Sequence, residues 1–257
     1  MVKRYQVLGL ENFPLVKPGD DIGEMIVSVA KAQKVELEDG DIVVVAQKIV
    51  SKSEGRLVSL PDVKVSRRAR SLAKRSARDP RLIQCALRQS KRVLKASRKA
   101  FVVENKQGII CLNAGLDRSN VAGGNVCSIL PENPNGSAER IRRRLLELTG
   151  KKVGVLISDS FSRPFRRGIT EFAIGYAGVK PFKDYRGKKD LFGYKLKFKV
   201  VAAADEAASA AELVMGQGDE GIPVAVVKGL GGLVDGLNPA PKKLTIPRKE
   251  DLFRGVL

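Results

Sequence analysis

VGVLISDSFSRPFRRG, residues Val153–Gly168, decides how the rest of the chain reads. It opens with Val153, Val155, Leu156 and Ile157, an apolar run of strand length that stops at Asp159 and Ser160. Arg163, Arg166 and Arg167 follow within a few residues. A buried strand that ends in a carboxylate and a hydroxyl, then in guanidinium groups, suits phosphate chemistry. The oxygens can hold a hard divalent cation, and the guanidinium forks can grip anionic oxygens. A strand end capped by Asp159 and followed by a solvated basic loop would use the same letters.

Working outward, Ser137 is placed to cap a helix that runs to Thr149, with Gly150 closing it in the left-handed position. Downstream, Phe172–Ala177 reads as a strand, Pro181–Gly193 as a loop and Leu196–Ala202 as an alternating strand. Asp205 caps an alanine-rich helix to Met215, and Pro223–Val227 is a buried strand. Upstream, Tyr5–Leu8 is a first strand, and Asp20 or Asp21 caps a helix over Ile22–Ala32. Ile42–Val45 is a β-branched strand that continues through Gln47 and Lys48 into the turn Ser51–Arg56. Val65–Arg75 and Pro80–Lys99 read as two basic helices, Ala100–Val103 and Gly108–Leu112 as a hairpin, and Asp251–Arg254 as part of a short final helix. Helices and strands mix without strict alternation, so the expected fold class is α+β, neither a doubly wound sheet nor a P-loop fold.

The composition removes whole classes of chemistry. The chain has 257 residues and no histidine, which excludes Ser-His-Asp triads, Cys-His pairs and imidazole metal sites. A metal must then be held mainly by oxygen, favouring magnesium, manganese or calcium over zinc. The absence of tryptophan and the few other aromatics argue against stacking platforms for single-stranded nucleic acid. Cys85, Cys111 and Cys127 form neither a zinc pattern nor a disulfide framework, so a reducing cytoplasm is the expected setting. No apolar run reaches the roughly 18 residues of a membrane span. A formal charge of +19 implies an attraction for polyanions: nucleotides, phosphorylated substrates or RNA.

Gly216-Gln217-Gly218-Asp219-Glu220-Gly221 fits GxGxxG, but it follows a helix and precedes a strand, the reverse of a dinucleotide fingerprint. Its backbone N–H groups could still cradle a phosphate. Asp117 and Asn120 lie in a polar loop after one strand, Asp159 and Ser160 at the end of another. Two such oxygen-rich loops can converge on one metal–phosphate centre. Each aspartate is equally suited to forming a turn, and Lys52 to being a solvated lysine.

Several stretches together resemble the coenzyme F-420-0:γ-glutamyl ligase family. They are Phe13–Val16 with Gly19-Asp20-Asp21, VSKSEGR at 50–56, NAGLDRSN at 113–120, Leu130–Ser137, ISDSFSRPFRRG at 157–168, DYRGKKDLFG at 184–193, and Ala204–Gly229 with LVMGQGDEGIPVAVV. The resemblance implies a single ligase unit over residues 1–257, with two interleaved α+β lobes and the active site between them. It implies a GTP-dependent ligase, working as a homodimer, that joins L-glutamate to the deazaflavin coenzyme F-420-0 through an acyl phosphate. Two divalent sites, Mg²⁺ or Mn²⁺, are implied at Asp117, Asp159, Ser160 and Gln217, with a monovalent cation as a further cofactor. Nucleotide contacts are implied at Phe13, Pro14, Leu15, Val16, Gln47, Lys48, Lys52 and Asn120, and at Met215, Gly216, Gln217, Gly218, Asp219, Glu220, Gly221 and Ile222. Arg163, Arg166 and Arg167 would clamp phosphate oxygens. The sequence departs from the family in its basic segment Lys64–Lys99, in Gln89 before Ser90 and in Lys106-Gln107-Gly108. Those departures keep two alternatives in view: another acceptor, or a basic nucleic-acid-binding derivative.

Overall fold

The computed structural model describes residues 3–121, 123–235, 243–247 and 249–251. In chain order the elements begin β1 (Gln6–Gly9), α1 (Ile22–Ala32), β2 (Ile42–Ala46), α2 (Gln47–Ser53), β3 (Leu57–Ser59), α3 (Arg67–Ser76), α4 (Pro80–Gln89), β4 (Ser90–Ala96), β5 (Phe101–Asn105) and β6 (Ile110–Leu112). They continue with β7 (Val126–Ser128), α5 (Pro134–Thr149), β8 (Gly154–Ser162), β9 (Ile169–Ala177), β10 (Lys183–Asp184), β11 (Val200–Val201), α6 (Ala203–Met215) and β12 (Val224–Lys228). This is the α+β class expected from the sequence. The chain divides into two compact units, Met1–Arg56 with Pro131–Pro241 and Leu57–Leu130 with Lys242–Leu257.

The first unit is built on a five-stranded mixed sheet in the order β1-β12-β2-β8-β9. Only β2 and β8 pair in parallel, from Ile42 opposite Gly154 to Ala46 opposite Ser158. Ile42, Val43, Val44 and Val45 are wholly buried, as are Val155, Leu156 and Ile157 beside them. Strands covered on both faces read as continuous apolar runs, which is why these two were plain in the sequence. In α1 the Glu24 N–H donates to Asp21 Oδ1 at 3.0 Å, so Asp21 is the cap, and Ile22, Ile26 and Val29 face the core.

Strand β9 is the edge of this sheet, and its outward backbone groups are met by helix side chains. The Glu171 N–H donates to Glu212 (3.2 Å), the Ala173 N–H to Asp205 (3.1 Å) and the Tyr176 N–H to Asn135 (2.9 Å). The Ser209 hydroxyl donates to the Glu171 carbonyl at 2.8 Å. Asp205, Ser209 and Glu212 lie at helical spacing, so one stripe of α6 serves the strand. Asp205 is therefore not the helix cap; that position is Ala202, with no side-chain bond. Ser137 is likewise interior to α5: Asn133 caps it through the Gly136 N–H, with Pro134 in the first turn, while the Ser137 hydroxyl donates to Glu54.

The second unit holds α3 and α4, a three-stranded sheet β4-β5-β6 and the pair β3-β7. Ser66 and Asp79 cap its helices, and Leu60, Val63, Cys85 and Cys127 form a small core. Three further expectations fail here and in the first unit. The helix expected to Lys99 stops at Gln89, and Ser90–Ala96 is β4, with Arg92 paired across to Glu104 at 2.6 Å. The residues after β2 form the helix α2 at once, without a strand extension. Of Leu196–Ala202, only Val200–Val201 pairs as strand, against Lys183–Asp184. Residues 252–254 of the expected final helix lie outside the described residues.

Candidate active site

Strand β2 feeds straight into α2, which places Lys48 and Lys52 one turn apart. Lys52 is only 9 % exposed, and its ammonium is held below the usual lysine range by burial first and by the Lys48 charge second. A cation buried beside another cation is stabilised by a neighbouring anion. Gln47 is buried, and its Oε1 accepts the Ser51 hydroxyl at 2.9 Å.

Strand β8 does not stop at Asp159. It runs on to Ser162 and pairs with β9 as a two-stranded ribbon beyond the point where β2 ends. A register shift falls between Ile157 and Ser158. Ser160 stands opposite Glu171 and Asp159 opposite Phe172, so alternation puts Asp159 and Ser160 on opposite faces of the ribbon. Phe161 and Phe172 stack at 5.7 Å on the Asp159 side. On the Ser160 side, Glu171 is 5 % exposed, and its carboxyl is pushed up to about 7. Burial is the main cause and the Glu212 charge adds to it, while Ser158, Gln217 and Lys48 favour the ionised form. The Ser158 hydroxyl is fully buried and lacks a hydrogen bond of standard geometry.

Gly216 ends α6 at φ +69°, where a Cβ would collide with the Glu220 carboxyl. The next residue, Gln217, folds back so that its Nε2 lies 2.8 Å from Glu212 Oε1 and 3.3 Å from Glu171 Oε2. The Gly218 N–H donates to Glu220 at 2.8 Å, so a carboxylate holds the loop where an anion was expected. Met215 is buried, and Asp219, Gly221 and Ile222 complete the turn into β12. Phe13 and Val16 are buried anchors. Pro14 and Leu15 line a cavity of about 350 Å³ with Lys17, Asp20, Asp21, Glu24 and Met25, a lining in which carboxylates outnumber the single lysine. Arg163, Arg166 and Arg167 lie on the turn between β8 and β9; Arg166 and Arg167 are exposed, and Arg163 Nε is buried without a partner.

The second unit carries the other two expected residues. The Asp117 backbone is bridged to Ser128 by bonds of 3.2 and 2.8 Å, and Asp117 Oδ1 accepts both the N–H and the hydroxyl of Ser119 at 2.8 Å. Asn113, Ala114 and Asn120 all have positive φ, at 52°, 60° and 51°. Three non-glycine residues held there make this a strained, over-determined loop.

The donor set fits a hard cation. Every candidate ligand offers oxygen, and among the described residues no three His, Cys, Asp or Glu side chains gather closely enough to cage an ion. Magnesium-type sites need no such cage; one or two carboxylates with phosphate and water suffice. Glu171, Glu212 and Ser158 carry no signal in the sequence, because only the β8–β9 register and the fold-back of Gln217 bring them together.

These features define a class: an α+β enzyme whose polar groups lie at strand and helix ends and on a glycine turn, without a P-loop or a dinucleotide-binding turn. A family model described as F420-0:Gamma-glutamyl ligase matches residues 11–229. The chain is 43% identical to the coenzyme F420:L-glutamate ligase of Methanothermobacter thermautotrophicus over 249 residues, 97% of this chain and 98% of the relative. It is also 43% identical over 254 residues to the proteins of that name from Methanocaldococcus jannaschii (98% of each chain) and Archaeoglobus fulgidus (99% of this chain, 98% of the relative). The chain belongs to the F420-0:γ-glutamyl ligase family.

Proposed function

We propose that the chain is a GTP-dependent ligase that forms an amide between L-glutamate and coenzyme F-420-0, and then further γ-linked glutamates. The observation that carries this reading is the near-full-length likeness to chains bearing that name. The γ-phosphoryl group of GTP passes to a carboxylate oxygen of the coenzyme, giving an acyl phosphate and GDP. The glutamate amine attacks the acyl carbon, phosphate leaves with its bonding electron pair, and the amine loses a proton. Lys48 and Lys52 are assigned to phosphate oxygens, and Arg163, Arg166 and Arg167 to clamping the transferred group. The nucleotide is assigned to Phe13–Val16, Gln47 and the turn Met215–Ile222 of the first unit. Asp159, Ser160 and Gln217 are proposed as metal ligands in the first unit, and Asp117 as a metal ligand in the second. The opposite facing of Asp159 and Ser160 supports two positions. Bound Mg²⁺ or Mn²⁺ would screen anionic repulsion and stabilise developing charge.

A homodimer is part of the proposal. Leu191, Phe192 and Phe198, in the segment between β10 and β11, are 97%, 95% and 88% exposed, and a partner subunit would cover such apolar side chains. Among the described residues no helix is long and apolar enough to cross a membrane, and the proposed setting is the cytoplasm.

Incubation with GTP, Mn²⁺, L-glutamate and the glutamate-free coenzyme tests the reading. Mass spectrometry should find added glutamyl units, with GDP released in step, and hydroxylamine should trap a hydroxamate when glutamate is withheld. Asp117→Asn and Asp159→Asn should each abolish turnover in folded protein. Vigorous GTP hydrolysis without acceptor, and no trapped acyl group, would make the chain a nucleotidase instead.

A further inference from the structure

The structure assigns Glu171 and Glu212 as positioning residues: their carboxylates hold the Gln217 amide by its nitrogen and leave Oε1 as the atom offered to a cation. The inference rests on the reading of Gln217 as a metal ligand. A side-chain amide has two distinct ends, and only its oxygen can ligate Mg²⁺ or Mn²⁺. Gln217 Nε2 lies within hydrogen-bond reach of Glu212 Oε1 (2.8 Å) and Glu171 Oε2 (3.3 Å). The amide nitrogen thus lies against both carboxyl groups. The flipped amide would set a carbonyl oxygen against Glu212 Oε1 and Glu171 Oε2 at the same distances, which is two acceptors once Glu171 is ionised.

The two carboxylates are themselves held. Glu212 Oε2 accepts the Glu171 backbone N–H at 3.2 Å. The Glu171 carbonyl accepts the Ser209 hydroxyl at 2.8 Å, and Glu171 is buried. A rigid chain of bonds therefore runs from the sheet edge through Glu212 to the Gln217 side chain. The left-handed Gly216 lets the backbone reverse, so that a residue five places on meets Glu212. Groups that orient a ligand in this way tune its affinity for the ion without touching it.

The test is Mn²⁺ binding in the presence of GDP, read from the EPR signal of free aqueous Mn²⁺. Gln217→Ala, Glu171→Gln and Glu212→Gln should each raise the Mn²⁺ Kd about 10- to 100-fold. In the Gln217→Ala background, Glu171→Gln and Glu212→Gln should add nothing, because they act through the missing amide. Turnover of the single carboxylate variants should be regained by raising the metal concentration. If Glu171→Gln still weakens Mn²⁺ binding in the Gln217→Ala background, Glu171 ligates the ion itself and the assignment is wrong. If Gln217→Ala weakens binding and the carboxylate variants do not, the positioning role alone is lost. If Gln217→Ala binds Mn²⁺ as tightly as the native chain, Gln217 is no ligand, and both readings fall. Should Glu212→Gln not fold, Glu171→Gln runs the same cycle with the edge bond to Glu212 intact.

Discussion

Glu171→Gln should make the stability of the metal-free protein respond differently to pH. The native Glu171 carboxyl is pushed from 4.5 up to about 7, chiefly by burial. Below pH 4.5 it is protonated in both folded and unfolded chains and makes no difference. Between pH 4.5 and 7 the unfolded chain has released the proton and the folded chain still binds it, so stability falls as pH rises. Above pH 7 the whole cost is present. At 1.36 kcal/mol per pH unit, the shift corresponds to about 3 kcal/mol. The glutamine side chain cannot ionise, so the variant escapes this loss. Urea unfolding of both proteins at pH 4.5 and pH 8 measures it. The stability of Glu171→Gln relative to the native protein should rise by about 3 kcal/mol between the two pH values, whatever fixed offset the amide introduces. A gap that stays constant across that range would mean that Glu171 titrates like an exposed glutamate, and the account of its burial would be wrong.

Gly175→Ala should cost about 1–3 kcal/mol, because its Cβ would lie 2.5 Å from the Pro134 carbonyl carbon at the start of α5; a thermal melt would register it. Lys228→Met should cost about 3–5 kcal/mol in urea, since it strips the 2.9 Å ion pair from Asp41, which is buried. Changing Lys91, Lys95 and Lys99 to Gln should raise KM for the anionic coenzyme at low salt, leave kcat alone, and lose its effect as salt is added. A KM difference that persists in high salt would indicate direct contact instead of steering.

The apolar strands of the first unit were legible because burial on both faces leaves continuous β-branched runs, as in Ile42–Val45. The basic strand β4 was not. Irregularities between Ser90 and Arg92 and between Val93 and Lys95 break its alternation, and the remaining pattern passes for a helix face. Helix α2 was hidden for another reason: it follows β2 with no capping side chain and no turn residue between them. Asn133 and Ser137 are both good caps, and only Pro134 in the first turn decides between them. Asp117, Asp159 and Lys52 stand out as candidates from residue type and neighbouring sequence alone. Glu171 does not, because nothing in Ile169–Ala177 distinguishes a glutamate facing solvent from one facing Gln217, 46 residues away.

The side chains along β9 bear on how copies of this chain can meet. An open strand edge is a template: its free N–H and C=O groups recruit any extended segment, including the same strand of another molecule. Here Asp205, Glu212 and Asn135 occupy three of the N–H groups and Ser209 one of the carbonyls. The large sheet is thus blunted against growth on that side, although it is not a barrel and no further strand among the described residues covers it. A second copy has to dock through side chains and cannot extend the sheet at β9. A mutation that clears the α6 stripe would remove more than a few hydrogen bonds: it would expose a nucleus for fibrous self-association.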